Sequence, residues 1–309
     1  MFAYYLDNFS PFLVKFGSNF GIRWYGFSYL LAFFCGFLLL HWLAQRRYCE
    51  LAPEKVGDYI LFASLGVVIG GRLGFALFYR CSQTLADPLS IFRVWDGGMS
   101  SHGGMIGLTL ATFLYARRQR ISWLGLADNI AVVAPVGLFL GRCANFINGE
   151  LYGRATNVPW AMQFPKEAID LPEIGARVLA AVHTVAPPAV APDNLPSVIE
   201  QARSHPDLQR VFRQILTPRH PSQLYEALLE GAFLFTCLWL LRVCTKPPRG
   251  MLAGIFLLLY ALVRVIVENF REPDAPLTGP FTRGQTLSVM LIAGGICFVA
   301  YALKTRRSE

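Results

Sequence analysis

Apolar residues gather along the chain into windows of about 20 positions separated by short polar breaks, long enough to cross a hydrocarbon core of about 30 Å as helices. Seven such windows predict seven spans, approximately Trp24–Ala44, Gly57–Tyr79, Ser101–Ala116, Leu124–Gly141, Gln223–Leu241, Met251–Glu268 and Gln285–Leu303. The third is short and Gly-rich at its start, so it also reads as a partial or re-entrant span. The expected fold class is an all-α polytopic membrane protein of about seven transmembrane helices, with a small periplasmic domain inserted between the fourth and the fifth.

Four regions follow from this pattern. Residues 1–23 are aromatic, amphiphilic and broken by Pro11, which suits a segment lying at the membrane surface. No basic region followed by a short apolar stretch and a small-residue cleavage site is visible there, so the first span reads as an uncleaved anchor. Residues 24–144 carry spans one to four, 145–221 the only extended polar region, and 222–309 spans five to seven and a basic tail. Within the polar region, Val185-Ala-Pro-Pro-Ala-Val-Ala-Pro192 reads as an extended linker, followed by a helical stretch near Leu195–Leu216.

Charge orients the spans. Arg46, Arg47 and Lys55, Arg117, Arg118 and Arg120, Arg242, Lys246 and Arg249, and Lys304, Arg306 and Arg307 fall on one side, twelve in all. Lys15, Arg23, Arg80, Arg93, Arg271 and Arg283, six, fall on the other, with the long loop left out because long loops translocate largely regardless of charge. The first set is therefore expected in the cytoplasm, with the N-terminus outside and the C-terminus inside. The composition agrees: 54% of residues are hydrophobic and 16% charged, where a soluble domain carries about a quarter charged. A formal net charge of +8 suits a protein against anionic lipid, and no basic stripe interleaved with aromatics points to nucleic acid. Seven scattered cysteines, at 35, 49, 81, 143, 237, 244 and 297, show no CxxC or Cys/His spacing of a metal site.

An ionisable side chain at membrane depth needs a partner, a water-filled cavity or a function. Arg72, His102, Asp128, Arg142, Glu226, Glu230, Arg264 and Glu268 all fall within or at the ends of predicted spans. Of these, His102, Arg142 and Glu268, together with Asn145 and Glu150, are expected at the outer face, with Arg264 one helical turn deeper. Tyr260, Arg264 and Glu268 share one helix face by their four-residue spacing. That spacing fits a structural Arg264–Glu268 ion pair, and equally an arginine oriented by a carboxylate to grip phosphate. His102 stands among glycines in Trp95-Asp-Gly-Gly-Met-Ser-Ser-His-Gly-Gly104, where backbone freedom suits close approach to a ligand. The run Gly141-Arg-Cys-Ala-Asn-Phe-Ile-Asn-Gly-Glu-Leu-Tyr-Gly-Arg154 packs two Arg, two Asn, one Glu and three Gly into fourteen residues leaving a span, a density a plain loop seldom needs.

This last run, with Arg23-Trp-Tyr-Gly26, Gly71-Arg-Leu-Gly74, His102-Gly-Gly-Met-Ile-Gly107, His220-Pro-Ser-Gln-Leu-Tyr-Glu226 and the segment from Tyr260 to the Arg-Glu-Pro-Asp ending at Asp274, resembles the phosphatidylglycerol-prolipoprotein diacylglyceryl transferases over nearly the whole chain. The resemblance implies an enzyme of the bacterial inner membrane that moves the diacylglyceryl group of phosphatidylglycerol to the lipobox cysteine of a prolipoprotein signal peptide, releasing glycerol phosphate without metal or cofactor. By position it implies His102, Arg142, Arg264 and Tyr25 as catalytic, and Arg142, Asn145, Glu150, Gly153, Tyr260, Arg264 and Glu268 as substrate-binding. Ala144, where many relatives have Gly, and the longer Pro/Ala-rich insert depart from the family pattern. A lipid or small-molecule transporter is the alternative, without the internal repeat that marks many carriers. An intramembrane protease would call for paired span aspartates, a Ser/His pair or a zinc motif, and neither an HExxH motif nor paired aspartates of the GxGD type occur.

Overall fold

The computed structural model describes residues 4–16, 21–93, 97–185, 194–273 and 282–306. Thirteen α-helices, among them the short α3 (Cys81–Ala86), two 3-10 helices, one π-helical segment and four short strands occupy them. The long helices are α1 (Trp24–Gln45), α2 (Val56–Phe78), α4 (Ser101–Gln119), α5 (Trp123–Ile147), α12 (Met251–Glu268) and α13 (Arg283–Arg306). A further continuous span runs Ser222–Cys244, built from α10 (Ser222–Glu226), a π-helical segment Ala227–Phe233 and α11 (Leu234–Cys244). Among the described residues six helical spans are long and apolar enough to cross a membrane, which bears out the polytopic all-α class.

The predicted third span stands apart from these six by composition. It forms an unbroken helix, α4, but three glycines in its first seven residues and two arginines in its last turn leave it outside the apolar set. Its start is set locally: Ser100 Oγ accepts from Gly103 N at 3.2 Å. Its end is Arg120 in the left-handed conformation, φ 56°.

Two compact units divide the chain, one of Met1–Leu31, Gly137–Phe233 and Tyr260–Leu291, the other of Ala32–Val136, Leu234–Leu259 and Ile292–Glu309. In the second unit α2 and α4 lie backbone to backbone, because Gly70, Gly74 and Gly103 leave no side chain between them. Fully buried Leu40, Leu43, Val56, Tyr59, Leu238 and Leu252 form its core, and the Tyr59 hydroxyl meets Thr112 Oγ1 at 2.7 Å. Buried Asp128 accepts from the amides of Gly250 and Ala253, both at 2.8 Å, and so satisfies the donors at the start of α12.

In the first unit four short helices, α6 (Glu167–Asp170), α7 (Pro172–Val185), α8 (Leu195–Ala202) and α9 (Pro206–Ile215), close around Val178, Val182, Val198 and Phe212. The helical stretch expected near Leu195–Leu216 is thus two helices, since Pro206 cannot continue a helix and instead starts α9. Strand β1 (Tyr5–Leu6) pairs in parallel with β4 (Met162–Gln163), and β2 (Phe12–Lys15) pairs antiparallel with β3 (Gly21–Arg23). The Pro/Ala-rich linker lies, after Val185, outside the described residues, as does Asp274.

Candidate active site

The site begins at an irregular helix. The π-helical segment Ala227–Phe233 presents Glu230 from a widened turn, one residue before Gly231. A Cβ on Gly231 would stand 2.8 Å from the Phe139 Cα of α5, so only glycine lets the two backbones meet there. Phe139 and Arg142 are three residues apart on α5 and share a face. The close approach at Gly231 therefore sets Arg142 against Glu230, its Nε and Nη2 donating to Oε2 at 3.1 and 2.9 Å.

Around that pair stands a cluster of three arginines and three glutamates. Arg142 Nη1 lies 2.8 Å from Glu226 Oε2. Arg264 Nη1 donates to both Glu226 Oε1 and Glu230 Oε1 at 3.1 Å, and its Nη2 lies 3.1 Å from Glu268 Oε2. Arg271 Nη1 donates to Glu226 Oε1 at 2.8 Å. The formal charges cancel, which is how six ionised groups persist at this depth. Glu226 and Glu230 are fully buried, whereas the side chains of Arg142 and Arg264 keep 17% and 13% of their exposure. What an approaching ligand meets is therefore guanidinium, backed by carboxylates it cannot reach. Arg142 and Arg264 each donate two hydrogen bonds to glutamates and add one ion pair, Arg142 to Glu226 and Arg264 to Glu268.

Beside the cluster the 141–154 run is tied down by backbone bonds. Buried Asn145 accepts from the Glu150 amide at 2.9 Å, closing a turn with Gly149 at φ 64° and Leu151 at φ 57°. Gln223 Nε2 donates to Glu150 O at 2.7 Å and Ser222 Oγ to Leu151 O at 3.0 Å, so the Pro-Ser-Gln segment holds the turn from the neighbouring span. Gly153 donates to His220 O at 2.9 Å and bridges Arg271, and a Cβ there would stand 2.6 Å from His220 O. Arg219 completes the support, bonded to Glu167 at 2.6 and 2.9 Å and lying 4.8 Å over the Tyr152 ring. Burial is the largest single effect and works against its charge, but Glu167, Glu272 and Tyr152 together outweigh it and hold the Arg219 pKa above its ordinary value.

The profile of the prolipoprotein diacylglyceryl transferase family matches residues 11–301. The chain belongs to this family. It is 38% identical to the phosphatidylglycerol-prolipoprotein diacylglyceryl transferase of Bdellovibrio bacteriovorus, over 96% of this chain and 94% of that protein. It is 39% identical to the proteins of that name from Escherichia coli K12 and Shigella boydii, over 97% of this chain and 95% of each. As a member of the prolipoprotein diacylglyceryl transferase family it is an integral membrane transferase.

In this diacylglyceryl transferase homologue the residues singled out in the sequence fall into two groups. Arg142, Asn145, Glu150, Gly153, Tyr260, Arg264, Glu268 and Tyr25 belong to the first compact unit; Tyr25, in the first turn of α1, is exposed, with its ring 5.4 Å from that of Tyr29. His102, half-buried, is the second residue of α4 and belongs to the second unit. Sequence reasoning passed over Glu226, Glu230 and Arg271 as members of the site. Glu226 and Glu230 already share a four-residue spacing inside an apolar window, the same signal that marked Arg264 and Glu268. Among the described residues no group of three or more His, Cys, Asp or Glu is placed to hold a metal ion.

Proposed function

We propose that this chain transfers the diacylglyceryl group of phosphatidylglycerol to the lipobox cysteine of bacterial prolipoproteins, at the outer face of the inner membrane, as the first step of lipoprotein maturation. The relatives carry donor and acceptor in their names. The observation that carries the reading is the pair of guanidinium groups, Arg142 and Arg264, held by buried Glu226 and Glu230 while both stay partly exposed. A phosphodiester needs such planar donors from two sides.

The cysteine thiolate attacks the glyceryl carbon that bears the phosphate oxygen. A C–S bond forms as the C–O bond breaks, and glycerol phosphate leaves with one more negative charge than the diester carried. Arg142 and Arg264 meet that charge as it develops, already oriented and so without reorganisation. Glu226, Glu230 and Glu268 position them, with Tyr260 on the same face. Asn145 and Glu150 bind the head-group hydroxyls, and Gly153 keeps their loop close to the cluster. His102 takes the thiol proton, because the thiolate is the nucleophile. Tyr25 joins the set through the family resemblance. The N-terminus and residues 145–221 are periplasmic and the C-terminus cytoplasmic, on the charge asymmetry of the loops.

The test incubates purified protein with phosphatidylglycerol and a lipobox peptide and follows peptide mass and released glycerol phosphate. The expected product is the peptide carrying one thioether-linked diacylglyceryl group. Arg142→Lys and Arg264→Lys, which keep charge but lose the two-point grip, should each lower turnover by about a hundredfold or more. An unmodified peptide overturns the activity; near-normal turnover in both variants overturns the clamp.

A further inference from the structure

The segment Gly71-Arg-Leu-Gly74 takes no part in the cluster described above, yet its arginine is 8% exposed and uses every donor it has. Arg72 Nε donates to Ile91 O at 2.8 Å, and Nη2 to Ser90 O and Arg93 O, both at 2.7 Å. Nη1 donates to Gly98 O at 3.1 Å and also to Gly97 O. Five N–H groups thus meet five backbone carbonyls, two in the 3-10 helix Pro88–Phe92 and three at Arg93, Gly97 and Gly98.

Ser90 O also accepts from the Arg93 amide at 3.2 Å; backbone acceptors left unpaired away from water are costly. A planar guanidinium fans its donors widely enough to reach all five; an ammonium offers at most three from a single point. The same stretch of α2 also holds the next residues: Gly71 O accepts from the Ser100 amide at 2.9 Å. Ser100 caps α4 through Gly103 N, and His102 follows two residues later. Gly97 and Gly98, at φ 72° and 87°, turn the chain between these two anchor points.

We infer that Arg72 is a positioning residue for His102: it fixes Ser90–Arg93 and Gly97–Gly98 and, with Gly71, the point where α4 begins and the direction in which the histidine is presented. The inference rests on the role given to His102 in the proposed function.

The test compares Arg72→Lys, His102→Gln and the double variant of the full-length protein in detergent, with amide hydrogen exchange of residues 90–98 as a readout independent of activity. Arg72→Lys should lower kcat by about tenfold or more while the KM for phosphatidylglycerol stays within about twofold. In the His102→Gln background the same change should alter turnover by less than about twofold, since a group that acts through His102 has nothing left to position. Exchange across 90–98 should quicken in Arg72→Lys and stay at the wild-type rate in His102→Gln. Unchanged exchange, unchanged kcat, or effects of the two substitutions that multiply would each overturn the inference. So would failure of Arg72→Lys to accumulate, which would make Arg72 a folding residue. Should the unmodified chain fail to lipidate the peptide, the transferase reading falls by itself, and the exchange rates still decide whether Arg72 holds the segment.

Discussion

Glu226 and Glu230 are carboxylates with no exposure inside an apolar helix, and alone each would be strongly destabilising. Their arginine partners come from α5, from α12 and from beyond the end of α12, so no short sequence window contains a whole pair except Arg264–Glu268. Asp7 is a carboxylate of the opposite kind. It is 8% exposed and accepts from the Phe9 amide at 3.3 Å. Burial pushes its pKa from an ordinary 3.8 to about 7, against smaller opposing effects of that amide and Arg203. A carboxyl whose folded pKa lies above its unfolded value contributes stability that is full below the unfolded value and is lost as pH rises through the folded one. The window is therefore 3.8 to about 7. Asp7→Asn, neutral at every pH, should gain up to a few kcal/mol over the wild type at about pH 8 and nothing at about pH 4. Thermal unfolding in detergent at both values checks this, and equal gains at both would refute it. The site was legible in the sequence only in part: Arg142 and Arg264 stand out as charges in apolar windows, while Asp7 sits in a surface segment where an aspartate draws no notice.

At the scale of elements, length and apolarity sufficed for six spans, because lipid demands a continuous apolar helix whatever its neighbours are. The strands, α6 and α7 escaped notice for the converse reason, and α8 and α9 were expected only as one stretch. Their short segments are specified by tertiary partners, Leu6 against Phe212 and its neighbours, and not by any run in the sequence. The π-helical segment is equally silent until Phe139 is seen against Gly231. Helix α4 offers a direct test of packing. A Cβ on Gly103 would collide with Gly70 O and lie 2.8 Å from the Gly74 Cα, whereas one on Gly104 would meet Val67 Cγ1 at an ordinary 3.6 Å. Gly103→Ala should force α2 and α4 apart and lower stability by about 1–3 kcal/mol, while Gly104→Ala should be neutral or slightly stabilising through helix propensity. Melting temperatures of the two variants in detergent distinguish the cases, and equal values would show that the helices yield at no cost.

For the whole molecule the number of crossings fixes the sides on which the termini lie. Six place both termini on one side; seven place them on opposite sides. Helix α4 decides between them. Its 19 residues extend for about 28 Å, enough to span the hydrocarbon core. Its glycine face is covered by α2, so it needs less apolar surface than a helix bathed in lipid. If it stayed on the outer side, Arg117, Arg118 and Arg120 would join Arg80 and Arg93 outside, and every loop downstream would change sides. Lys304, Arg306 and Arg307 would then be external, against the bias of basic residues toward the cytoplasm. Seven crossings keep all twelve of the clustered cations inside. Reporters active only in the cytoplasm should therefore work when fused after Arg120 and after Arg307, and one active only in the periplasm should work after Pro192. A periplasmic signal after Arg307, with the N-terminus also outside, would mean that α4 does not cross, and His102 at its start would have to be placed afresh.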